Sequence, residues 1–129
     1  MSIVGQNIPH DSAAGHVSGQ SFFLDDLPAL RGELLVDFVG SPVPNGEIVS
    51  IDLEAARTIP GVVGLFTQKD IPGHNQIGPA AKDELLLVEK TAEFLGAPIV
   101  LIAAESREAL SAAKRAVKIQ MRELRPIFT

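Results

Sequence analysis

A chain of 129 residues is long enough for one domain with a real core, and 46% hydrophobic against 21% charged residues excludes an intrinsically disordered chain. A formal net charge of −5, with six Phe and no Tyr or Trp, argues against a nucleic-acid partner or an anionic membrane surface. The absence of cysteine excludes disulfides, a cysteine nucleophile and thiolate-held zinc or iron–sulfur sites in this segment, and it fits a reducing compartment. No basic-then-apolar leader opens the chain, and the longest apolar run, residues 97–104, is of strand length and broken by Pro98. These features lead one to expect a soluble cytoplasmic domain with no membrane partner.

The first quarter, residues 5–28, is rich in Gly, Ser, His and Asp, with apolar residues clustered at Phe22, Phe23 and Leu24. Gly5, Pro9, Gly15 and Gly19 punctuate it, so most of it is expected to be loop. A loop of that length is uncommon in a small domain unless something else orders it. Residues 33–39 (ELLVDFV) then read as a strand, followed by the turn cluster Ser41-Pro42-Val43-Pro44-Asn45-Gly46 and a second strand at 47–51. The two strands are expected to form a hairpin-like pair.

Asp52 suits the N-cap of a short helix over 53–58, with Glu54 complementing its positive end. Pro60-Gly61 ends that helix, and 62–67 (VVGLFT) is a third strand. Residues 69–83 return to loop, with His74 and Asn75 inside it, before short strands at 85–88 and 91–94. Residues 98–104 (PIVLIAA) are apolar on both faces, as a central strand covered on both sides would be. Ser106 caps a helix over 107–117 whose Ala109, Leu110, Ala113, Ala116 and Val117 share one face. Residues 118–124 alternate apolar and polar as a half-exposed strand does. The order implies an α+β domain, a mixed β-sheet with two helices packed on one face.

Candidate chemistry is sparse. His10 and His16 lie six apart and His74 is remote, which matches neither a helical metal pair nor a zinc finger. Backbone hydrogen bonding by a loop histidine is the better reading. Asp25-Asp26 could serve acid–base work or a hard cation, but adjacent carboxylates point apart and suit turn chemistry. Gly5, Gly15 and Gly19 fit no phosphate loop, Ser12 and Ser18 sit in no nucleophile elbow, and Gly64, Gly73 and Gly78 suit bends. The residues name no catalytic, cofactor-binding or metal site.

The motifs nevertheless carry a resemblance. Pro9-His10-Asp11-Ser12-Ala13, His16-Val17-Ser18-Gly19 and Leu24-Asp25-Asp26-Leu27-Pro28 come first, followed by Ile48 to Asp52, Ala55-Ala56 and Pro60-Gly61-Val62. Asp70-Ile71-Pro72-Gly73-His74-Asn75, Phe94 to Ile99, Ala112-Ala113, Val117-Lys118-Ile119 and Glu123-Leu124 complete the series. In order and spacing the chain resembles the a/b hammerhead domain of the large, molybdopterin-binding subunit of xanthine dehydrogenases and aldehyde oxidases. Three places depart from that pattern: Phe23 where a Tyr is usual, Gly96-Ala97-Pro98 in place of Gly-Gln-Pro, and Met121-Arg122 in place of Tyr-Glu.

The resemblance implies an extended N-terminal arm over 1–30 and the hammerhead domain over 31–129. It also implies a parent enzyme that hydroxylates purines, other N-heterocycles or aldehydes with oxygen from water. Molybdopterin, the 2Fe–2S clusters and FAD would belong to other domains or subunits, and these would be the partners. The chain is then expected to be a non-catalytic scaffold, inactive alone, and either a piece of a longer protein or a free-standing binding or assembly module. A hydrolase built on Asp25, Asp26 and His16 is a remote third reading. Cut from its partners, the chain is expected to self-associate through Phe22, Phe23, Leu24 and Ile127-Phe128, or to leave residues 1–30 poorly ordered.

Overall fold

The computed structural model describes residues 4–78, 81 and 83–126. The chain divides into two units, residues 1–31 and 32–129. In the first, α1 (Ala13–Ser18) is followed by a 3-10 turn at Leu24–Asp26. The helix forms where glycine punctuation implies loop. Gly19 closes it at φ +71, and the carbonyl of Gly15 accepts from the N–H of Gln20 (2.8 Å) and Ser21 (3.1 Å). None of the described residues of this unit is buried, so it has no core of its own. The expected association through Ile127-Phe128 lies outside the described residues.

In the second unit the strands are β1 (Leu35–Gly40), β2 (Gly46–Asp52), β3 (Val62–Phe66), β4 (Gln76–Ile77), β5 (Glu84–Leu85), β6 (Thr91–Ala92), β7 (Pro98–Ala104) and β8 (Lys118–Glu123). Helices α2 (Glu54–Arg57) and α3 (Arg107–Ala116) complete it. The α+β class is as the sequence implies. The strands divide into sheets ordered β1-β7-β3 and β6-β2-β8 and a β4-β5 ribbon, with every described pairing antiparallel. Helices α2 and α3 pack against each other and onto the β1-β7-β3 sheet.

The expected hairpin between β1 and β2 does not form: β1 pairs with β7, whereas β2 pairs with β6 and β8. The reason lies at the 40–45 crossover. Ser41 exchanges backbone bonds with the 96–97 segment, its N–H donating to Ala97 (2.9 Å) and its carbonyl accepting from Gly96 (2.9 Å). A Cβ on Gly40 would fall 2.5 Å from the Gly96 carbonyl oxygen, so only glycine permits this approach. The buried Ser41 hydroxyl donates to the Val43 carbonyl (2.7 Å) and accepts from the Val43 N–H (3.2 Å), satisfying a turn whose prolines have no N–H to give.

The central strand is where the sequence places it. Ile99, Val100 and Ile102 of β7 are fully buried, each worth about 1.5–3 kcal/mol of apolar transfer. Around them lie Ala56, Leu65, Val88, Ala92, Ala97, Ala113 and Val117, flanked by Ile48, Ile51, Ile119 and Met121. Helix α3 begins as expected, with the Ser106 hydroxyl accepting from the Ala109 N–H at 3.1 Å. Asp52 caps α2 from one residue before the N-cap, accepting from Glu54 N–H at 3.0 Å. Both residues of the Met121-Arg122 departure have local partners. Arg122 stands opposite Glu47 across β2 and β8 and pairs with it, and Met121 places its sulfur 3.4 Å from the Ser41 hydroxyl.

Candidate functional site

Side-chain alternation divides the two faces of the β1-β7-β3 sheet. Asp37 on β1, Leu65 on β3 and Ile102 on β7 share one register row, and Asp37 pairs with Lys114 of α3, so that row faces the helices. Phe38, Leu101 and Phe66 form the next row and point to the opposite face. There they line an open groove of about 530 Å³, completed by Thr67, Asp70, Ile71, Pro72, Leu86, Leu87 and Pro98. Phe38 and Phe66 remain 43% and 42% exposed, and Val36 on the same face 57%, so this face is only partly covered at β1 and β3, while Ile99 and Ala103 on the same side of β7 are buried.

Two local devices shape the groove. Beyond β3 the chain turns through a 3-10 segment, Gln68–Asp70, whose last residue reaches back. Asp70 Oδ2 accepts from the Thr67 N–H at 2.7 Å and lies 3.0 Å from the Thr67 hydroxyl, which donates to it. These two bonds hold the Asp70 carboxyl below the usual carboxylate range. On the other wall, Asn75 imitates a strand partner: its amide donates to the Leu87 carbonyl (2.6 Å) and accepts from the Leu87 N–H (2.9 Å). Sequence reasoning passed over Asn75, because a loop asparagine carries no signal of a partner twelve residues on. A second hollow, about 450 Å³, is lined by Pro44, Asn45, Thr91, Glu93, Phe94, Leu95 and Pro126.

Several of the sequence-derived candidates make local contacts. His10 Nδ1 accepts from the Ser12 N–H at 3.2 Å and lies 2.9 Å from the Ser12 hydroxyl. The His16 ring packs on Phe23 with centroids 5.4 Å apart. Asp26 Oδ2 accepts from the Phe23 N–H at 2.9 Å, closing the same reach-back turn that Asp70 makes. Ser18 donates to the Gly15 carbonyl at 3.3 Å, while Asp25 and His74 are exposed. Among the described residues no three His, Cys, Asp or Glu side chains gather where they could hold a metal ion. Gly64 sits at a bulge in β3 beneath the Phe66 ring. The groove can present an apolar surface with one fixed carboxylate, and it contains no paired acid and base.

Residues 18–125 match the family model described as aldehyde oxidase and xanthine dehydrogenase, a/b hammerhead domain. Xanthine dehydrogenase/oxidase of Gallus gallus is 36% identical over 126 residues, covering 98% of this chain and 9% of that protein. Xanthine dehydrogenase 1 of Arabidopsis thaliana is 38% identical with the same coverage. Among solved structures, the aldehyde oxidoreductase from Desulfovibrio gigas superposes with a TM-score of 0.78 at 30% identity, over 91% of this chain and 14% of that one. A carbon monoxide dehydrogenase from Oligotropha carboxidovorans, TM-score 0.80 at 24% identity over 93% of this chain and 15% of that one, shares the fold. The chain spans 9% of the length of these curated relatives. Its motifs, its two sheets with helices on one face, and these likenesses agree: the chain belongs to the aldehyde oxidase and xanthine dehydrogenase family and has its a/b hammerhead fold.

Proposed function

We propose that this chain is the N-terminal scaffold domain of a molybdenum hydroxylase that oxidises purines, other N-heterocycles or aldehydes in the cytoplasm. In this reading residues 1–30 are an arm and 31–129 the domain proper. The observation that carries it is the coverage: 98% of the chain aligns with 9% of a xanthine dehydrogenase. The domain itself supplies no catalytic, cofactor-binding or metal-binding residue. Other domains of the polypeptide or other subunits hold molybdopterin, the 2Fe–2S clusters and FAD.

The residues present support that division. Iron–sulfur clusters take thiolates, and the chain has no cysteine. The groove has no lysine or arginine in its lining for the phosphate of a pterin cofactor. An iron–sulfur cluster does not fit this chain and a pterin phosphate does not fit the groove, and no step of the oxidation is routed through either.

The test is to assay the purified chain with xanthine and with an aromatic aldehyde, using NAD+ and an artificial electron acceptor. No turnover is expected; turnover by the chain alone would refute the scaffold reading. A free-standing assembly module is the second reading, favoured by the open apolar groove. A binding partner outside the molybdenum hydroxylases, recovered with the native protein, would establish it.

A further inference from the structure

We infer that Asn45-Gly46 is a self-modifying site: the asparagine deamidates by attack of the glycine nitrogen, and the product unfastens residues 124–126 from the start of β2. The inference concerns the chain's own chemistry and stands apart from the scaffold function proposed above.

The pair does not serve the turn that its sequence suits. An Asn-Gly step between two strands fits a hairpin in which both residues have positive φ. Here neither has, and β1 and β2 do not pair. Crowding is what calls for glycine at 46: a Cβ there would fall 2.8 Å from Val43 Cγ2 and 3.1 Å from the Arg122 carbonyl oxygen. The packing of β2 against β8 thus places after Asn45 the residue with no side chain to obstruct attack by its own nitrogen. The other two asparagines, Asn7 and Asn75, precede Ile8 and Gln76, whose side chains do obstruct it.

In the reaction the Gly46 nitrogen gives its proton to a base in solution and bonds to Asn45 Cγ. The Cγ–Nδ2 bond breaks, and ammonia leaves with a proton from solvent. Water then adds to one of the two carbonyls of the five-membered imide and reopens it. The product at position 45 is aspartate or its backbone isomer, isoaspartate. Water and hydroxide are the only co-reactants.

The structure sets when this can happen. Asn45 Nδ2 donates to the Arg125 carbonyl at 3.1 Å, and the Asn45 carbonyl accepts from the Leu124 N–H at 2.9 Å. Gly46 is buried and lies in register with Ala92 of β6 and Glu123 of β8. Ring closure must turn the Asn45 amide away from Arg125, so the site reacts from a locally opened state. The opening is small, because β6 is two residues long and Asn45 is half-buried at the end of its sheet. Asn45 and Pro126 also line the open hollow of about 450 Å³, which admits water to the amide.

The product cannot restore what opened. A carboxylate has no proton for the Arg125 carbonyl and meets it oxygen to oxygen. Isoaspartate also adds one carbon to the backbone just ahead of Gly46, which takes the residue 45 carbonyl out of line with Leu124. A transient opening of residues 124–126 is thereby made permanent.

The experiment incubates the folded chain in warm, mildly alkaline buffer and follows the masses of the peptides carrying Asn7, Asn45 and Asn75. The mass gain of amide-to-acid conversion is expected at Asn45 ahead of the other two, about tenfold or more slower than in the chain unfolded in urea. Leu124→Pro, which removes the N–H bonded to the Asn45 carbonyl, is expected to speed it about threefold or more. Asn45→Gln, whose longer side chain must close a larger and slower ring, is expected to abolish it. Asn45→Asp reproduces one product and is expected to accelerate hydrogen exchange at the Leu124 amide while the β7 amides stay protected.

Modification appearing first at Asn7 or Asn75 would overturn the inference. So would an Asn45 that stays intact in the folded chain, or that converts as fast there as in urea. Protection of the Leu124 amide that survives Asn45→Asp would overturn the unfastening. Exchange at the β7 amides separates local opening from misfolding in Leu124→Pro, and the unaltered chain with Asn45→Asp decides the matter even where that variant does not fold.

Discussion

Phe66 lays its ring over Gly64, two residues earlier on β3, so that a Cβ on residue 64 would fall 2.5 Å from the ring's Cζ. The glycine thereby gives the aromatic a flat seat beside Leu101, and the ring forms part of the groove wall. The obstacle is the far end of a half-exposed side chain that can swing away. Gly64→Ala is therefore expected to cost at most about 1 kcal/mol, at the low end for overpacking, while moving Phe66. At Gly40 the obstacle is the Gly96 backbone, and Gly40→Ala is expected to cost about 3 kcal/mol or more. Urea unfolding of both variants checks the contrast; equal losses would contradict it.

The α3 cap offers a sharper local test. Replacing Ser106 with Ala removes the acceptor for the Ala109 N–H and should destabilise the domain by about 1 kcal/mol. For a domain near this size that is a fall in Tm of about 4–8 °C, read by thermal melting. Ser106→Asp should restore most of it, because aspartate caps as well as serine.

Asp37 ties β1 to α3. The hydrogen bond from Lys114, then the 2.7 Å bond from the Phe38 N–H, hold its carboxyl below the ordinary 3.8. A pKa lowered on folding contributes stability that is present above the unfolded value and lost as pH falls through the folded one. With both side chains more than a third exposed, screening limits the pair to about 0.2–1 kcal/mol. Wild type should therefore lose slightly more stability than Asp37→Asn between about pH 5 and pH 2. Parallel denaturation curves at the two pH values measure it; identical losses would show that the pair contributes nothing.

Asn75 holds Leu87 by both of its backbone groups. Truncation to Ala leaves that N–H and carbonyl without their partner, at about 1–3 kcal/mol. Hydrogen exchange at the Leu87 amide should accelerate before the β7 amides do. Asn75→Asp should fail to rescue, because a carboxylate cannot donate to the Leu87 carbonyl.

Much of the second unit is legible in the sequence. Its burial periods are short-range: β7 declares itself by seven apolar residues in a row, and α3 by alanines at helical spacing after a capping serine. The likeness to the family was legible too, since it rests on the order of motifs. The groove was not. Its wall comes from Phe38, Phe66 and Leu101, which lie far apart in the chain and meet because register aligns them, with Leu86 added from the segment after β5. Nor was the fate of β1. Its separation from β2 depends on Gly40 and Gly96 lying backbone to backbone, a contact that leaves no local signature.

By itself, then, the sequence determined the two helices and the longer strands of the second unit, which strand is central, and which family the chain resembles, because those depend on residue pattern along a few turns. Helix α1 and strand β4 form where the sequence implies loop. Tertiary structure alone decided which strands pair and that one sheet face stays partly open. Those outcomes depend on close approach between distant segments, where a missing Cβ or one buried hydroxyl selects between partners that local propensity cannot distinguish.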